Sequence, residues 1–273
     1  MNTSSFNFSE SALIFVHIPK CGGNSFLAFL KSQLPDDASV FDTYDLNGNP
    51  ELFGKVQKYD LRLSEFKSMP LPKRDSHDFI YGHMPYGLHR HISRPCQYVT
   101  IVREPVDRVV SLYWFVRNAP KHYLHNFAHR HSLVEFACSD ESFELDNGQT
   151  RLLCGRYGCY NSDISDRVNQ QDCDQAIAHA VKPDNVTGIL GEYKNTLRLV
   201  RHHFGFRYSA PVRKNVTSQR RPTSDLTSKE IDAIKLRNEF DVRLYESVKK
   251  EFDRRLRHVP PESLVRRLFR RFG

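Results

Sequence analysis

The sequence predicts an α/β fold: a parallel sheet covered by helices, carrying a helical insertion. Three observations predict it. Short apolar runs rich in β-branched and aromatic residues occur at 12–17 (ALIFVH), 78–81 (DFIY), 98–102 (YVTIV) and 186–190 (VTGIL), and such runs read as buried strands. The first, third and fourth each lead into a helical pattern, and strand followed by helix, repeated, builds a parallel sheet. The chain has 273 residues, 39% of them hydrophobic and 26% charged, which excludes a disordered or fibrous chain and suffices for one large core.

Taken in order, the first strand delivers the chain to PKCGGNS. A helix over 24–34 follows, with Phe26, Leu27, Phe29, Leu30 and Leu34 as its apolar positions. The third strand ends at Arg103, and Pro105 suits the first turn of a helix over 106–117, whose apolar face is Val109, Leu112, Tyr113 and Val116. Residues 118–184 form the helical insertion, expected to wall an acceptor cleft. The fourth strand precedes a helix over 192–203. A basic, loop-like stretch over 214–227 then leads to one final helix over 228–252, with Ile231, Ile234, Leu236, Phe240, Leu244, Tyr245 and Val248 as apolar positions. The expected organisation is one domain over 1–252 and a basic tail over 253–273.

The formal charge of +8 is local. Residues 249–273 hold nine Lys and Arg against three acids, so the tail supplies most of the excess and nucleic acid is not an expected partner. Within the tail, Leu264, Val265, Leu268 and Phe272 alternate with four arginines. That pattern suits an anionic membrane surface, a partner or an anionic glycan, or simply a disordered basic end. No stretch approaches eighteen consecutive apolar residues, so no spanning helix is expected. The N-terminus lacks the basic region of a secretory signal. A cytoplasmic enzyme, with peripheral membrane contact through the tail, is the expectation. The six cysteines show no CxxC spacing and are expected as free thiols. Cys154 and Cys159 could bridge or bind metal, but a second ligand pair is missing.

Chemistry concentrates in two segments. In FVHIPKCGGNSF, Gly22 and Gly23 permit a close backbone approach. Successive amides and the next helix's N-terminus then make an anion cradle, with Lys20 as a mobile charge and Asn24 and Ser25 as side-chain donors. A plain Gly-Gly turn with a solvated lysine explains the same residues. In YVTIVREPVDRVVSLYW, Arg103 ends a strand and Ser111 lies eight residues on, so both can converge on one phosphate. An Arg103–Glu104 surface pair and a solvent-facing serine remain the alternative.

Together, FVHIPKxGGxS and TIxREPxxRxxSxY resemble the phosphosulfate-binding and 3′-phosphate-binding motifs of sulfotransferases. The resemblance is closest to the carbohydrate branch that includes heparan sulfate 2-O- and 6-O-sulfotransferases and their bacterial relatives. YGHMPYGLH, DNGQTRLLCG, GILGEY, NVTSQRRP and FDVRLYESVKKEF extend it over residues 13–252. Cys21 and Asn24 stand where the family commonly has threonine.

The resemblance implies a P-loop-NTPase-like three-layer fold and transfer of a sulfuryl group from 3′-phosphoadenosine 5′-phosphosulfate to a carbohydrate hydroxyl, with no metal required. It implies donor binding by Lys20, Cys21, Gly22, Gly23, Asn24, Ser25, Arg103 and Ser111, with Arg220 and Arg221 closing over the donor or forming a solvated basic turn. Lys20 would neutralise charge on the departing 5′-phosphate. His83, after DFIYG at a strand end, is the expected base, with His89 as runner-up and His17 as a packed core residue. Asn147, Gln149 and Arg151 are candidate acceptor contacts. In the cluster His122, His125, His129 and His131, spacings of three and four residues place the first three along one helix face, with metal binding, an acceptor-facing surface and a solvated helix all open. A nucleoside or nucleotide kinase with an unusual phosphate loop, and a non-catalytic binder of anionic glycan or membrane, are the alternative functions.

Overall fold

The computed structural model describes residues 6–43, 58–156, 166–207 and 222–261. Five strands form one parallel sheet: β1 (Ala12–Val16), β2 (Val40–Asp42), β3 (Phe79–Gly82), β4 (Cys96–Val102) and β5 (Val186–Ile189). Their order is β2-β3-β1-β4-β5, with β1 central, so both of its edges are paired. Every residue of β1, β3 and β5 is buried, as expected where helices cover both faces of a parallel sheet. This is the parallel α/β architecture, a sheet covered by helices, that the sequence predicts. The edge strand β2 was not anticipated. It has three residues and its Val40 is exposed, too short and too open to leave a periodic signal.

The helices are α1 (Gly23–Lys31), α2 (Lys58–Ser68), α3 (Leu71–Asp75), α4 (Pro105–Arg117), α5 (His125–Arg130), α6 (Leu133–Ala137), α7 (Gly148–Cys154), α8 (Gln170–Val181), α9 (Tyr193–Phe204), α10 (Ser228–Arg237) and α11 (Glu239–Leu256). In α1, Phe26, Phe29 and Leu30 are buried, the i, i+3, i+4 spacing of a core-facing stripe. Burying each such side chain is worth about 1.5–3 kcal/mol, enough to fix this short helix and the loop before it. The sheet, α1, α8, α9 and α11 share the main core. A second core gathers Val109, Val116, Phe136, Leu145 and Ile234 where α4, α6 and α10 meet.

The single final helix expected over 228–252 is corrected to two, α10 and α11, which meet at Asn238. Asn238 leaves helical geometry (φ −119°, ψ 36°) because its fully buried side chain is used elsewhere. Its Nδ2 donates to the carbonyls of Leu145 and Ile234, and its Oδ1 accepts from the Asn147 amide at 3.1 Å. Apolar periodicity runs through such a break unchanged.

Candidate active site

The parallel register puts the carboxyl ends of three strands side by side. Val16 pairs with Gly82 of β3 and with Thr100 of β4, so the residues following β1, β3 and β4 emerge along one edge. After β1 the chain turns through Lys20, at φ 67°, and Gly22, at φ 77°. Left-handed geometry costs a non-glycine residue about 1–2 kcal/mol. Here it aims the Lys20 carbonyl at Arg103, whose Nη1 donates to it at 3.0 Å. Gly22 is required by its left-handed backbone and Gly23 by packing. A Cβ at Gly22 would stand 2.4 Å from Leu190 Cδ1, and one at Gly23 would stand 1.8 Å from His17 Nε2.

Helix α1 begins at this turn. Its N-cap is Gly22, no side chain caps it, and its first turn holds no acidic residue. The early amides and the positive end of the helix therefore form a seat for an anion. Asn24 is exposed at its rim, while Lys20 and Ser25 are half-buried. The Lys20 ammonium lies 3.6 Å from the centre of the Phe115 ring, a cation–π contact.

Cys21 is corrected from a donor contact to an internal link. Its amide donates to the Ile18 carbonyl at 3.3 Å, and its buried thiol donates to Gln149 Oε1 at 3.5 Å. Burial pushes that thiol up to about 12, so it stays protonated and acts as a donor. Gln149 is likewise corrected from an acceptor contact, since it is fully buried. Its Oε1 also accepts from the Arg103 amide at 2.9 Å, and its Nε2 donates to the Arg103 carbonyl at 3.0 Å.

Arg103 Nη2 lies 3.9 Å from Asp107 Oδ2 in the first turn of α4. Asp107 also accepts from the Thr223 hydroxyl. Arg220 and Arg221 lie outside the described residues, but the chain resumes at Pro222 and is fastened beside Arg103 by this contact. Ser111 is 6% exposed, two turns into α4.

His83 follows β3 at the same edge. Its Nδ1 is 2.6 Å from the His17 carbonyl oxygen, which can only accept, so Nδ1 carries the proton and the neutral ring's lone pair is at Nε2. The His17 and His83 rings are 4.6 Å apart. His17 is buried as expected, and burial first, then His83 and Lys20, hold its pKa well below 6.5. His89, the runner-up, lies against Tyr98. Its Nδ1 meets the Tyr98 hydroxyl at 2.9 Å, and Tyr98 pairs with Ile14 in mid-sheet. Tyr86, against the His89 ring, stacks on His179 of α8.

Asn147 and Arg151 are corrected in the same way, being 4% and 1% exposed. Their segment is a joint between two helix N-termini. Asn147, the N-cap of α7, accepts at Oδ1 from the amides of Phe240 (2.9 Å) and Asp241 (3.1 Å) at the start of α11. Asp241 in turn accepts from the α7 amides of Gln149 (3.2 Å) and Thr150 (2.7 Å). Each helix caps the other. Arg108, 1% exposed, lies 3.6 Å from Asp241 and donates to the Glu144 carbonyl at 2.6 Å. Arg151 pairs with Asp146 at 2.6 Å. Sequence reasoning missed Arg108 and Asp241 because a cap supplied by a residue some ninety positions away leaves no local pattern.

The histidine cluster is spent on backbone. His125 donates to the Val116 carbonyl and His129 to the Arg117 carbonyl, both at 2.9 Å, so both brace the end of α4. His131 contacts the Phe127 carbonyl. Among the described residues no group of three or more His, Cys, Asp or Glu could hold a metal ion, and no helix is long and apolar enough to cross a membrane.

The family model described as the sulfotransferase family matches residues 5–246. Among solved structures, the chain is similar to mouse sulfotransferase SULT7A1 complexed with PAP, at 16% identity and a TM-score of 0.39. That likeness covers 85% of this chain and 66% of the mouse chain, just under two thirds of its length. Among curated proteins none matches. The family match takes in the Lys20 turn, His83, Arg103, Ser111 and the α7–α11 joint, and the chain belongs to the sulfotransferase family.

Proposed function

We propose that the protein transfers a sulfuryl group from 3′-phosphoadenosine 5′-phosphosulfate to a hydroxyl of a carbohydrate acceptor. One observation carries the reading: the Lys20 turn and the Arg103 turn touch, with Arg103 Nη1 on the Lys20 carbonyl at 3.0 Å. Two anion-binding elements are thereby held at one sheet edge, which suits a ligand phosphorylated at both ends. The side-chain chemistry fits. Amides, an ammonium and a guanidinium lie at this edge, and Asp107, a carboxylate beside Arg103, already accepts from Thr223.

In this reading the amides at the start of α1 seat the 5′-phosphate, and Arg103 and Ser111 grip the 3′-phosphate. His83 Nε2 takes the proton of the acceptor hydroxyl as its oxygen bonds to sulfur. The bond from sulfur to the bridging oxygen breaks, and Lys20 offsets the charge left on the departing phosphate. The residues given these roles need no metal. The basic tail, beyond residue 261 outside the described residues, would meet an anionic glycan or membrane surface.

The test is a labelled-sulfate transfer assay over polysaccharide, oligosaccharide, glycolipid and small-alcohol acceptors, with and without chelator. Transfer to a carbohydrate that survives chelation is the expected result. Transfer only to non-carbohydrate alcohols would remove the acceptor class, and none at all, with no donor binding, would remove the activity.

A further inference from the structure

Gln149 lies on α7, inside the helical insertion, yet it holds no part of an acceptor surface. Among the described residues its side chain makes three hydrogen bonds, all to the two donor turns. Oε1 takes the Arg103 amide (2.9 Å) and the Cys21 thiol (3.5 Å), while Nε2 gives to the Arg103 carbonyl (3.0 Å). Bulk solvent does not reach the Gln149 side chain, which is 0% exposed. The turns come from sequence positions far apart, and besides this amide they are joined by the Arg103–Lys20 contact.

Gln149 is itself held firmly. Its amide and that of Thr150 bind the carboxylate of Asp241, which is fully buried beside Arg108. Arg108 belongs to α4, the helix that starts just after Arg103. The path from Arg103 through α4, Arg108, Asp241 and α7 to Gln149 and back to Arg103 is therefore closed, with Arg108, Asp241 and Gln149 buried and Arg103 half-buried. A closed ring of buried polar contacts fixes distance better than a single contact, since moving one member strands the next.

We propose that Gln149 is a positioning residue that holds the Lys20–Cys21 turn and the Arg103 turn at the separation needed to bind both phosphates of one donor molecule. This rests on the donor reading given above. Without the Gln149 amide each turn can still meet its own phosphate, but the two no longer arrive pre-set for one ligand. The loss falls on the advantage of joining two phosphates in one molecule.

The experiment compares three ligands by calorimetry, without acceptor: 3′-phosphoadenosine 5′-phosphate, adenosine 5′-phosphate and adenosine 3′-phosphate. The proteins are wild type, Gln149→Met, which fills the same space without polar atoms, and Gln149→Asn, which keeps the amide but is one methylene short of spanning both turns. Wild type should bind the bisphosphate far more tightly than either monophosphate. Both variants should weaken the bisphosphate by about tenfold or more, the scale of stranding buried backbone groups, and change either monophosphate by less than about threefold. Equal weakening of all three ligands, or unchanged bisphosphate affinity in Gln149→Asn, would overturn the positioning role while leaving the donor assignment intact. Wild type that ignores the bisphosphate would overturn both. Should Gln149→Met be insoluble, Gln149→Asn alone decides.

Discussion

The Arg103 guanidinium donates to the carbonyl oxygen of Lys20 at 3.0 Å, across 83 positions of sequence. The contact uses one arm of the guanidinium, and the other arm faces Asp107 at 3.9 Å. Arg103 thus holds the Lys20 turn and is oriented by α4 at the same time. Replacing it by alanine should weaken binding of 3′-phosphoadenosine 5′-phosphate by about 2–4 kcal/mol, the usual cost of truncating one partner of a hydrogen-bonded charge pair. Arg103→Lys should recover only part of this, since one ammonium cannot reach both partners as a planar fork does. Isothermal calorimetry of the three proteins checks it.

His83 is expected to act on the acceptor alone. His83→Ala should lower turnover by about 10²–10⁴ while leaving affinity for the bisphosphate unchanged, because its Nδ1 is engaged by the His17 carbonyl. Transfer kinetics and calorimetry on the same preparation separate the two effects. Wild-type turnover in this variant would strike His83 from the reaction.

The two loop glycines should fail differently. Gly23→Ala drives a methyl to 1.8 Å from the His17 ring, and His17 is enclosed against Phe15 and His83. A loss of about 1–3 kcal/mol, typical of overpacking, is expected together with loss of donor binding. Gly22→Ala meets only the tip of the Leu190 side chain, which can move. Its cost comes mainly from φ 77°, about 1 kcal/mol. Urea unfolding ranks the two, with Gly23→Ala the less stable.

The reciprocal capping of α7 and α11 predicts a strongly destabilised Asp241→Ala. Removing this carboxylate leaves Arg108 buried with its charge uncompensated and exposes two α7 amides to an empty space. About 3–5 kcal/mol is expected, read as a lowered urea midpoint.

Two histidines should make the fold acid-sensitive. Burial foremost holds His17 well below 6.5, and burial with Lys20 and His125 nearby holds His122 at about 4. Above pH 6.5 both are neutral whether folded or unfolded, so they add no pH dependence. Below it the unfolded chain takes up their protons first, so stability falls with pH. For His122 the fall continues until about pH 4. In His122→Asn, the decline in unfolding free energy between pH 7 and pH 4.5 should be shallower than in wild type. An identical slope would mean that His122 titrates normally.

Much of this was legible in the sequence, and what was hidden has a physical cause. Strands β1, β3, β4 and β5 announced themselves because each is buried over nearly its whole length, and composition alone marks such runs. The β1 and β4 ends were legible too, since Gly22, Gly23, Arg103 and Pro105 restrict backbone and chemistry locally. Residues whose partners are remote misled. Asn147, Gln149 and Arg151 are polar and clustered, as acceptor contacts would be, but the polarity serves buried joints. Asn238 broke a helix that apolar spacing ran straight through, because its side chain is also claimed by the remote Leu145 and Asn147. Cys21 looked like a substitute donor and instead bonds inward to Gln149.

Crystals of the protein grown with 3′-phosphoadenosine 5′-phosphate test the shared donor site most directly. The 5′-phosphate should lie within hydrogen-bonding distance of the amides of Gly22, Gly23, Asn24 and Ser25, and the 3′-phosphate should lie against the Arg103 guanidinium and the Ser111 hydroxyl, in one continuous density. Density for the bisphosphate on another face of the sheet, or reaching only one of the two turns, would contradict the account.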